Sequence, residues 1–121
     1  MIISNTETKF VQKTWGSETW MVNTEKFCGK ILKIEKGKHC SLHFHKLKEE
    51  NFYILKGIVH LEIGTSKTDK VDLCLAEGDS VLVKAGVLHR FTGVDDDNQV
   101  IETSTQHFDD DSYRIEPSYG S

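Results

Sequence analysis

Three possible metal ligands lie close together in the segment SLHFHKLKEENF, residues 41–52. Side chains alternate between the two faces of a β-strand, so His43 and His45 share one face and their apolar neighbours point away. We expect a short hairpin through the residues KLKE to bring Glu50 back beside the two histidines. Two imidazoles and one carboxylate on a single face form a ligand set for Zn, Fe, Mn or Ni. The alternative is a group of polar surface residues beside a turn.

Short β-like runs separated by turn residues fill most of the 121-residue chain. They are GKILKIEKG, SLHFH, NFYILKG, IVHLEIG, VDLCLAEG, DSVLVKAG, HRFTG and QVIETST. These runs are rich in Val, Ile, Leu, Phe, Tyr and Thr, which favour strands. No segment keeps a helical period over ten residues, and the best helix candidate, TETKFVQKTW, is a poor one. The pattern predicts one all-β domain, a sandwich or barrel of about eight or more short strands.

The composition is that of an ordinary globular protein, with 37% hydrophobic and 28% charged residues. No apolar run approaches the roughly 20 residues that span a bilayer. The N-terminus lacks a basic region followed by a long apolar one, so we expect no secretion signal, no membrane partner and a cytoplasmic protein. Cys28, Cys40 and Cys74 lack CxxC spacing and are expected to be reduced, mostly buried thiols.

The charge of the chain is unevenly distributed, although the net charge is only −4. Residues 26–48 hold seven lysines against one acid, and residues 95–111 hold seven acids without Lys or Arg. These segments form either two solvated surfaces of opposite sign or a basic rim that attracts a small anion. The acidic balance and the lack of an aromatic-basic stacking pattern argue against a nucleic-acid partner, and we expect none.

Two spaced motifs connect the histidines to a known family. Residues 37–57, GKHCSLHFHKLKEENFYILKG, resemble the first motif of the cupin superfamily, and residues 78–93, GDSVLVKAGVLHRFTG, resemble the second. The resemblance implies a jelly-roll barrel of two antiparallel sheets that holds one divalent metal ion. The ligands that it implies are His43, His45, Glu50 and His89.

The segments KTWGSETW and DDDSYRIEPSYG extend the likeness to a subfamily. With the first motif, they resemble the cupin domain of type II mannose-6-phosphate isomerases, which is often fused to a mannose-1-phosphate guanylyltransferase. In the tail, Arg114 and the pair Tyr119-Gly120 carry the resemblance. It implies a metal-dependent isomerase of a sugar phosphate. His43 stands where that subfamily commonly has Gln, and three histidines with one glutamate also occur in lyxose isomerases and iron dioxygenases. An iron-dependent dioxygenase and a non-catalytic sugar-binding cupin are therefore the alternatives.

An aldose–ketose isomerase needs a proton carrier near the metal. The candidates are His60, which shares a strand face with Glu62, and Glu102 in VIETST. A phosphorylated sugar also needs a cation, and Arg114 is the best candidate because Arg can bind phosphate through two hydrogen bonds. The alternative cations are Lys33, Lys46 and Lys48, each of which is more typical of solvated surface. Trp15 and Trp20 either stack on a sugar or pack the N-terminal segment, and His39 and His107 are expected at the surface.

We expect a single cupin domain over residues 1–121. Within it, residues 1–25 should pack on the barrel, and residues 106–121 should form a tail that buries Tyr113, Ile115 and Tyr119. A homodimer is expected because the edges of an open jelly roll need cover.

Overall fold

The computed structural model describes residues 7–118, which form eleven β-strands and one short 3₁₀ turn at Asp109–Asp111. The strands are β1 (Lys9–Lys13), β2 (Gly16–Asn23), β3 (Cys28–Ile34), β4 (Leu42–Phe44), β5 (Glu50–Lys56), β6 (Ile58–Gly64), β7 (Lys70–Ala76), β8 (Ser80–Val83), β9 (Leu88–Gly93), β10 (Asn98–Ser104) and β11 (Tyr113–Glu116). Within this part of the chain, no helix is long and apolar enough to cross a membrane.

The strands form two antiparallel sheets, which confirms the predicted jelly-roll architecture. The six-stranded sheet has the order β1-β2-β3-β10-β5-β8, and the five-stranded sheet has the order β11-β4-β9-β6-β7. The segment TETKFVQKTW contains β1, so its interpretation as a possible helix was wrong. Its residues pair with β2 in a regular antiparallel ladder, and this tertiary pairing overrides a weak local preference.

The core lies between the inner faces of the two sheets, where alternate residues of each strand point inward. On β6, Val59 and Leu61 are both fully buried, and on β9 the ring of Phe91 is 2% exposed. Each such side chain contributes about 1.5–3 kcal/mol by its removal from water. Cys28 and Cys40 are buried and Cys74 is exposed, and all three are free thiols, as the sequence predicts.

The inward-facing side chains of two neighbouring strands change from apolar to charged along the barrel. On β3, the inward-facing residues are Ile34, Leu32 and then, nearer the start of the strand, Lys30. On the antiparallel β10, they are Val100 and then Glu102. All five residues are less than 7% exposed. Lys30 and Glu102 are cross-strand partners in the ladder, so opposite charges lie side by side on the inner face. The barrel therefore has an apolar end, which supplies stability, and a polar end, which can supply chemistry.

A glycine is required where the chain passes from β5 in one sheet to β6 in the other. Gly57 has a φ of +83°, and a Cβ at this position would collide with the carbonyl oxygen of Asp97. Only glycine combines this left-handed conformation with so close a backbone approach. The turn fixes the end of the strand that begins at Glu50, the predicted carboxylate ligand.

Both ends of the described chain are edge strands. β1 extends the six-stranded sheet, and β11 pairs with β4 at the edge of the five-stranded sheet. The side chains of Tyr113 and Ile115 are 37% and 46% exposed, so they are less buried than the sequence suggests, because an edge strand covers its neighbour on one face only. The ring of Tyr113 stacks on that of Phe44, with centroids 5.1 Å apart. Tyr119 and Gly120 lie outside the described residues, and the extent of the single domain stays a prediction.

Candidate metal centre

Three histidines converge at the polar end of the barrel. His43 on β4 pairs directly with His89 on β9, and His45 follows the end of β4. Each imidazole offers one nitrogen that lies within 4.8 Å of a nitrogen of the other two. The alternation that places His43 and His45 on one face thus brings them to a third histidine that is more than forty residues away in the sequence.

Each of the three imidazoles is oriented by a hydrogen bond from its Nδ1 atom. The acceptors are the backbone carbonyl oxygens of Ser41 for His43 (2.8 Å), Asp111 for His45 (2.9 Å) and Val87 for His89 (3.0 Å). A carbonyl oxygen can only accept, so Nδ1 carries the proton and Nε2 of the neutral ring is left with a free lone pair. Such a bond from the non-ligating nitrogen is characteristic of metal-binding histidines.

The surroundings keep two of these imidazoles uncharged. Burial lowers the pKa of His43 to about 3, helped by the neighbouring His89. Burial also lowers the pKa of His45, against the opposing charge of Glu50. At neutral pH both rings are therefore in the form that binds a metal.

Glu50 reaches the histidines from the opposite sheet. Its Oε1 atom lies 3.2 Å from Nε2 of His45 and 3.2 Å from Nε2 of His89. The predicted hairpin between the two ligand strands was wrong, because β4 belongs to the five-stranded sheet and β5 to the six-stranded sheet. The connection crosses the barrel, and the carboxylate meets the histidines face to face across it.

These positions fit a metal ion. Nε2 of His89 is buried and has no hydrogen-bond partner among residues 7–118. With Nδ1 protonated, this lone pair and that of His45 both face the Glu50 carboxylate oxygen, an unfavourable arrangement unless a cation lies among them. Three imidazoles and one carboxylate provide four donors, a set that Zn, Mn, Fe and Ni accept.

A buried lysine links the candidate ligand Glu50 to a second carboxylate. Nζ of Lys48 lies 2.9 Å from Oε2 of Glu102, 3.3 Å from Oε2 of Glu50 and 3.0 Å from Nδ1 of His107. Burial lowers the pKa of Lys48, but the two carboxylate charges outweigh that effect and raise it overall. Burial raises the pKa of Glu102, and the charge of Glu50 raises it further. Burial raises the pKa of Glu50, but the interactions with its neighbours, the Lys48 ammonium among them, outweigh burial and lower it overall.

The histidines open onto a cavity of about 290 Å³. One part of its wall is aromatic and aliphatic, formed by Trp15, Trp20, Leu32, Ile34, Phe52 and Phe91. The charged part is formed by Lys13, Glu18, Lys30, Lys48, Glu102 and Arg114. Nζ of Lys30 lies 3.6 Å from Oε1 of Glu18 and 4.0 Å from the ring centroid of Trp20. A cavity with both kinds of wall suits a small polar molecule.

Some of the residues predicted for chemistry or substrate binding lie in this cavity. Glu102, Lys48 and Arg114 line it, as do both tryptophans. Arg114 is exposed and pairs with His43 in the β-ladder, which places it beside the candidate ligands. His107 also lines the cavity, so the expectation of a plain surface residue was wrong. Lys48 is 3% exposed, so its predicted role as a solvated rim cation does not hold.

Three other candidates lie away from the cavity. Nε2 of His60 lies 3.6 Å from Asp72 on the outer face of the five-stranded sheet, so His60 is not placed to carry the proton. Lys33 is exposed on the outer face of β3. Nζ of Lys46 lies 4.4 Å from the ring centroid of Tyr113. None of the three lines the cavity in the described part of the chain.

Comparison with known sequences decides the family. The family profile described as "Cupin domain" matches residues 30–102, more than half of the chain. This chain belongs to the cupin domain family. The matched region includes the histidines, Glu50 and Glu102, so the candidate metal centre lies within the cupin domain.

A curated relative of this cupin is a mannose-1-phosphate guanylyltransferase from Sinorhizobium fredii, 32% identical over 78 residues. The match covers 64% of this chain and 14% of that protein, so this cupin corresponds to a small part of its relative.

Solved structures share the fold at low sequence identity. CapF, a capsular polysaccharide assembling protein from Staphylococcus aureus, has a TM-score of 0.80 at 18% identity, over 92% of this chain and 32% of that chain. An oxalate decarboxylase from Bacillus subtilis, described with Mn(II) centres, has a TM-score of 0.79 at 16% identity, over 93% of this chain and 32% of that chain. At these identities the likeness shows the fold alone.

Proposed function

We propose that this cupin is a metal-dependent enzyme that interconverts the aldose and ketose forms of a sugar phosphate. The observation that carries the proposal is the convergence of three imidazoles and one carboxylate at a cavity whose walls hold further carboxylates and cations. The Sinorhizobium relative supports the substrate class, since its name includes a mannose phosphate.

In this proposal, Nε2 of the three histidines and Oε1 of Glu50 would hold one divalent ion. Bound there, the ion would stabilise the negative charge that develops on sugar oxygens during proton transfer. The hydrogen bonds from Nδ1 to backbone carbonyl oxygens hold the imidazoles in the ligating tautomer before any metal arrives. Binding of an ion would therefore require little reorientation of the imidazole rings.

Glu102 is the proton carrier that we assign. Isomerisation moves a proton from the hydroxyl-bearing carbon to the neighbouring carbonyl carbon, while the hydroxyl proton passes to the former carbonyl oxygen. One carboxylate can take the carbon-bound proton and then donate it. Lys48 holds Oε2 of Glu102 at 2.9 Å, so we assign the proton transfer to Oε1. The raised pKa of Glu102, caused by burial and by Glu50, makes the carboxylate a stronger base.

We assign the phosphate to Arg114, whose exposed side chain lines the cavity. A guanidinium can donate two parallel hydrogen bonds to phosphate oxygens. Lys30 is a second cation of the cavity, but it is 2% exposed and lies beside Glu18, so it suits a sugar hydroxyl. Trp15 and Trp20 supply a flat apolar wall for the C–H face of the sugar.

Metal exchange followed by three assays tests this function. The protein is stripped with a chelator, reloaded anaerobically with Zn, Mn, Fe(II) or Ni, and assayed with mannose 6-phosphate, with unphosphorylated mannose and lyxose, and for O₂ uptake. We expect metal-dependent isomerisation of the sugar phosphate. O₂ uptake with Fe(II) would instead support a dioxygenase, and a sugar-induced rise in melting temperature without turnover would support a sugar-binding cupin.

We also propose a homodimer. The outer face of the six-stranded sheet exposes Phe10, Tyr53 and Leu82, whose side chains are 64%, 40% and 52% exposed. Exposed apolar side chains on a sheet face favour burial against a second protein chain. Light scattering during size-exclusion chromatography measures the mass, and Tyr53→Asp should shift a dimer towards monomer.

A further inference from the structure

One residue of the C-terminal segment receives hydrogen bonds from the chain between two candidate ligands. The Asp111 carboxylate is buried, with 3% of the residue exposed. Its Oδ1 atom accepts bonds from the backbone N–H groups of Lys46 (2.9 Å) and Leu47 (3.1 Å). Its Oδ2 atom accepts a bond from the backbone N–H of Lys48 (3.1 Å) and a longer one from Leu47 (3.3 Å). Hydrogen bonds to an ionised acceptor are about twice as strong as neutral ones.

The backbone of the same residue orients a candidate ligand. The carbonyl oxygen of Asp111 accepts the bond from Nδ1 of His45 at 2.9 Å. Asp111 thus contacts four consecutive residues, 45–48, which lie in no regular strand. This segment carries the chain from His45 in one sheet to Glu50 in the other, so its conformation decides whether the two donors meet.

The segment that delivers Asp111 is also anchored by contacts that Asp111 itself does not make. β11 pairs with β4, and its Glu116 lies 3.2 Å from Nη1 of Arg90 and 2.9 Å from Nζ of Lys67. These contacts hold residues 113–116 at the edge of the five-stranded sheet. Asp111 is therefore carried to the ligand segment by a strand that is itself docked.

We infer that Asp111 is a positioning residue of the metal centre, which couples the docking of residues 109–116 to metal affinity. The inference rests on the metal site proposed above. The carbonyl oxygen of Asp111 orients the ring of His45. Its carboxylate fixes the backbone conformation of residues 46–48, which lead to Glu50. Because coupling between two binding events is reciprocal, a bound metal must stabilise the docked segment by the same factor.

The test compares Asp111→Asn with Asp110→Asn, an exposed neighbour in the same short turn. Asparagine keeps the size of the side chain, but one of its two polar atoms is a donor and cannot accept a backbone N–H. We expect the Zn dissociation constant, measured by competition with a chelator, to rise about 10–100-fold in Asp111→Asn, as for the loss of a hydrogen-bond partner of a ligand. The Co(II) absorption bands of Asp111→Asn should also shift. Asp110→Asn should match the wild type in both measurements.

Hydrogen–deuterium exchange on the wild type gives a second measurement that needs no variant. Zn should slow the exchange of amides in residues 109–116 and 46–48. A wild type that binds no divalent ion would overturn the proposed metal centre and this inference with it. A wild type that binds Zn, with equal affinities for the two variants, would overturn the role of Asp111 alone. If Asp111→Asn does not fold, unchanged exchange in residues 109–116 on addition of Zn would overturn the inference.

Discussion

Two ionic clusters of similar composition lie on opposite faces of the barrel wall. The inner cluster joins Lys48 to Glu50 and Glu102, and these side chains are 2–5% exposed. The outer cluster lies on the outer face of the five-stranded sheet, and its side chains are 11–60% exposed. Its members are Arg90, Glu62, Lys70, Glu116 and Lys67.

Burial gives these clusters different roles. An exposed ion pair is screened by water and contributes little, whereas a buried charge that loses its partner is left in a medium that cannot solvate it. The outer cluster can therefore help to dock β11 with little loss of hydration free energy. The inner cluster has a large desolvation cost, and a stability role alone does not explain it, because apolar side chains would fill the same space. Its position beside the candidate ligands supports a chemical role.

The largest effect should follow from removing a ligand that the inner cluster shares. Glu50→Gln keeps the size of the side chain but removes the charge that balances a divalent ion. We expect this variant and His89→Ala to lose more than about 100-fold in metal affinity, more than the loss of a hydrogen-bond partner costs, and to lose isomerase activity. Dialysis against the metal followed by elemental analysis measures the first effect.

The matched control for this prediction is His60→Ala, which removes a histidine of the outer face. It should keep metal and activity. Full metal content in His89→Ala would contradict the assignment of the ligands.

Paired lysine substitutions compare the clusters directly. Lys48→Met leaves Glu50 and Glu102 as buried carboxylates without their ammonium partner, so we expect a loss of about 3–5 kcal/mol in the free energy of unfolding. Lys67→Met removes an exposed partner of Glu116, and we expect no measurable change in the midpoint of urea unfolding. Equal losses in the two variants would show that burial does not distinguish the clusters.

Arg114→Ala tests β11, the strand that contributes Glu116 to the outer cluster and Arg114 to the cavity. We expect the metal content to stay unchanged and KM for a sugar phosphate to rise about 10-fold, the loss of one charge-assisted contact. An unphosphorylated sugar should keep its KM. Loss of metal would instead show that Arg114 is structural. Unchanged sugar-phosphate kinetics would place the phosphate elsewhere or favour a substrate without phosphate.

The smallest effect concerns pH and His107, which contacts the inner cluster. Burial, with the charges of Lys30 and Lys48, lowers the pKa of His107 from 6.5 to about 4. Between these values the unfolded chain binds the proton and the folded chain does not, so stability falls as the pH is lowered from about 6.5 to about 4. Urea unfolding of the metal-free protein should show this fall, with a smaller slope in His107→Gln. Equal slopes would contradict the lowered pKa.

The fold and the three histidines could be predicted because local rules determine them. Strand alternation places His43 and His45 on one face, and the second motif supplies His89. Glu50 was predicted in the right place through the wrong connection, since motif spacing records where a ligand arrives and not which sheet carries it. On β6 a signal did exist, because Val59 and Leu61 alternate with His60 and Glu62, a pattern that places the two polar side chains on the outer face.

The buried charges could not be predicted from single segments. Lysine is rarely buried without a partner, and Glu102 and Glu18, which pair with Lys48 and Lys30, lie on other strands. For Lys30 a signal did exist, since it alternates with Leu32 and Ile34 on the inner face of β3. Asp111 gave no such signal, because it ends a run of three aspartates that is typical of solvated surface.

The position of Asp111 in the chain affects how the protein matures during translation. The ribosome adds His43, His45, Glu50 and His89 before Asp111. A nascent chain can therefore expose every candidate ligand while the ring of His45 still lacks its acceptor and the crossing to Glu50 is unsupported. If Asp111 has the positioning role inferred above, tight binding of an ion would wait until residues 109–116 have emerged and docked, and an unfinished polypeptide would bind a metal less tightly than the folded protein.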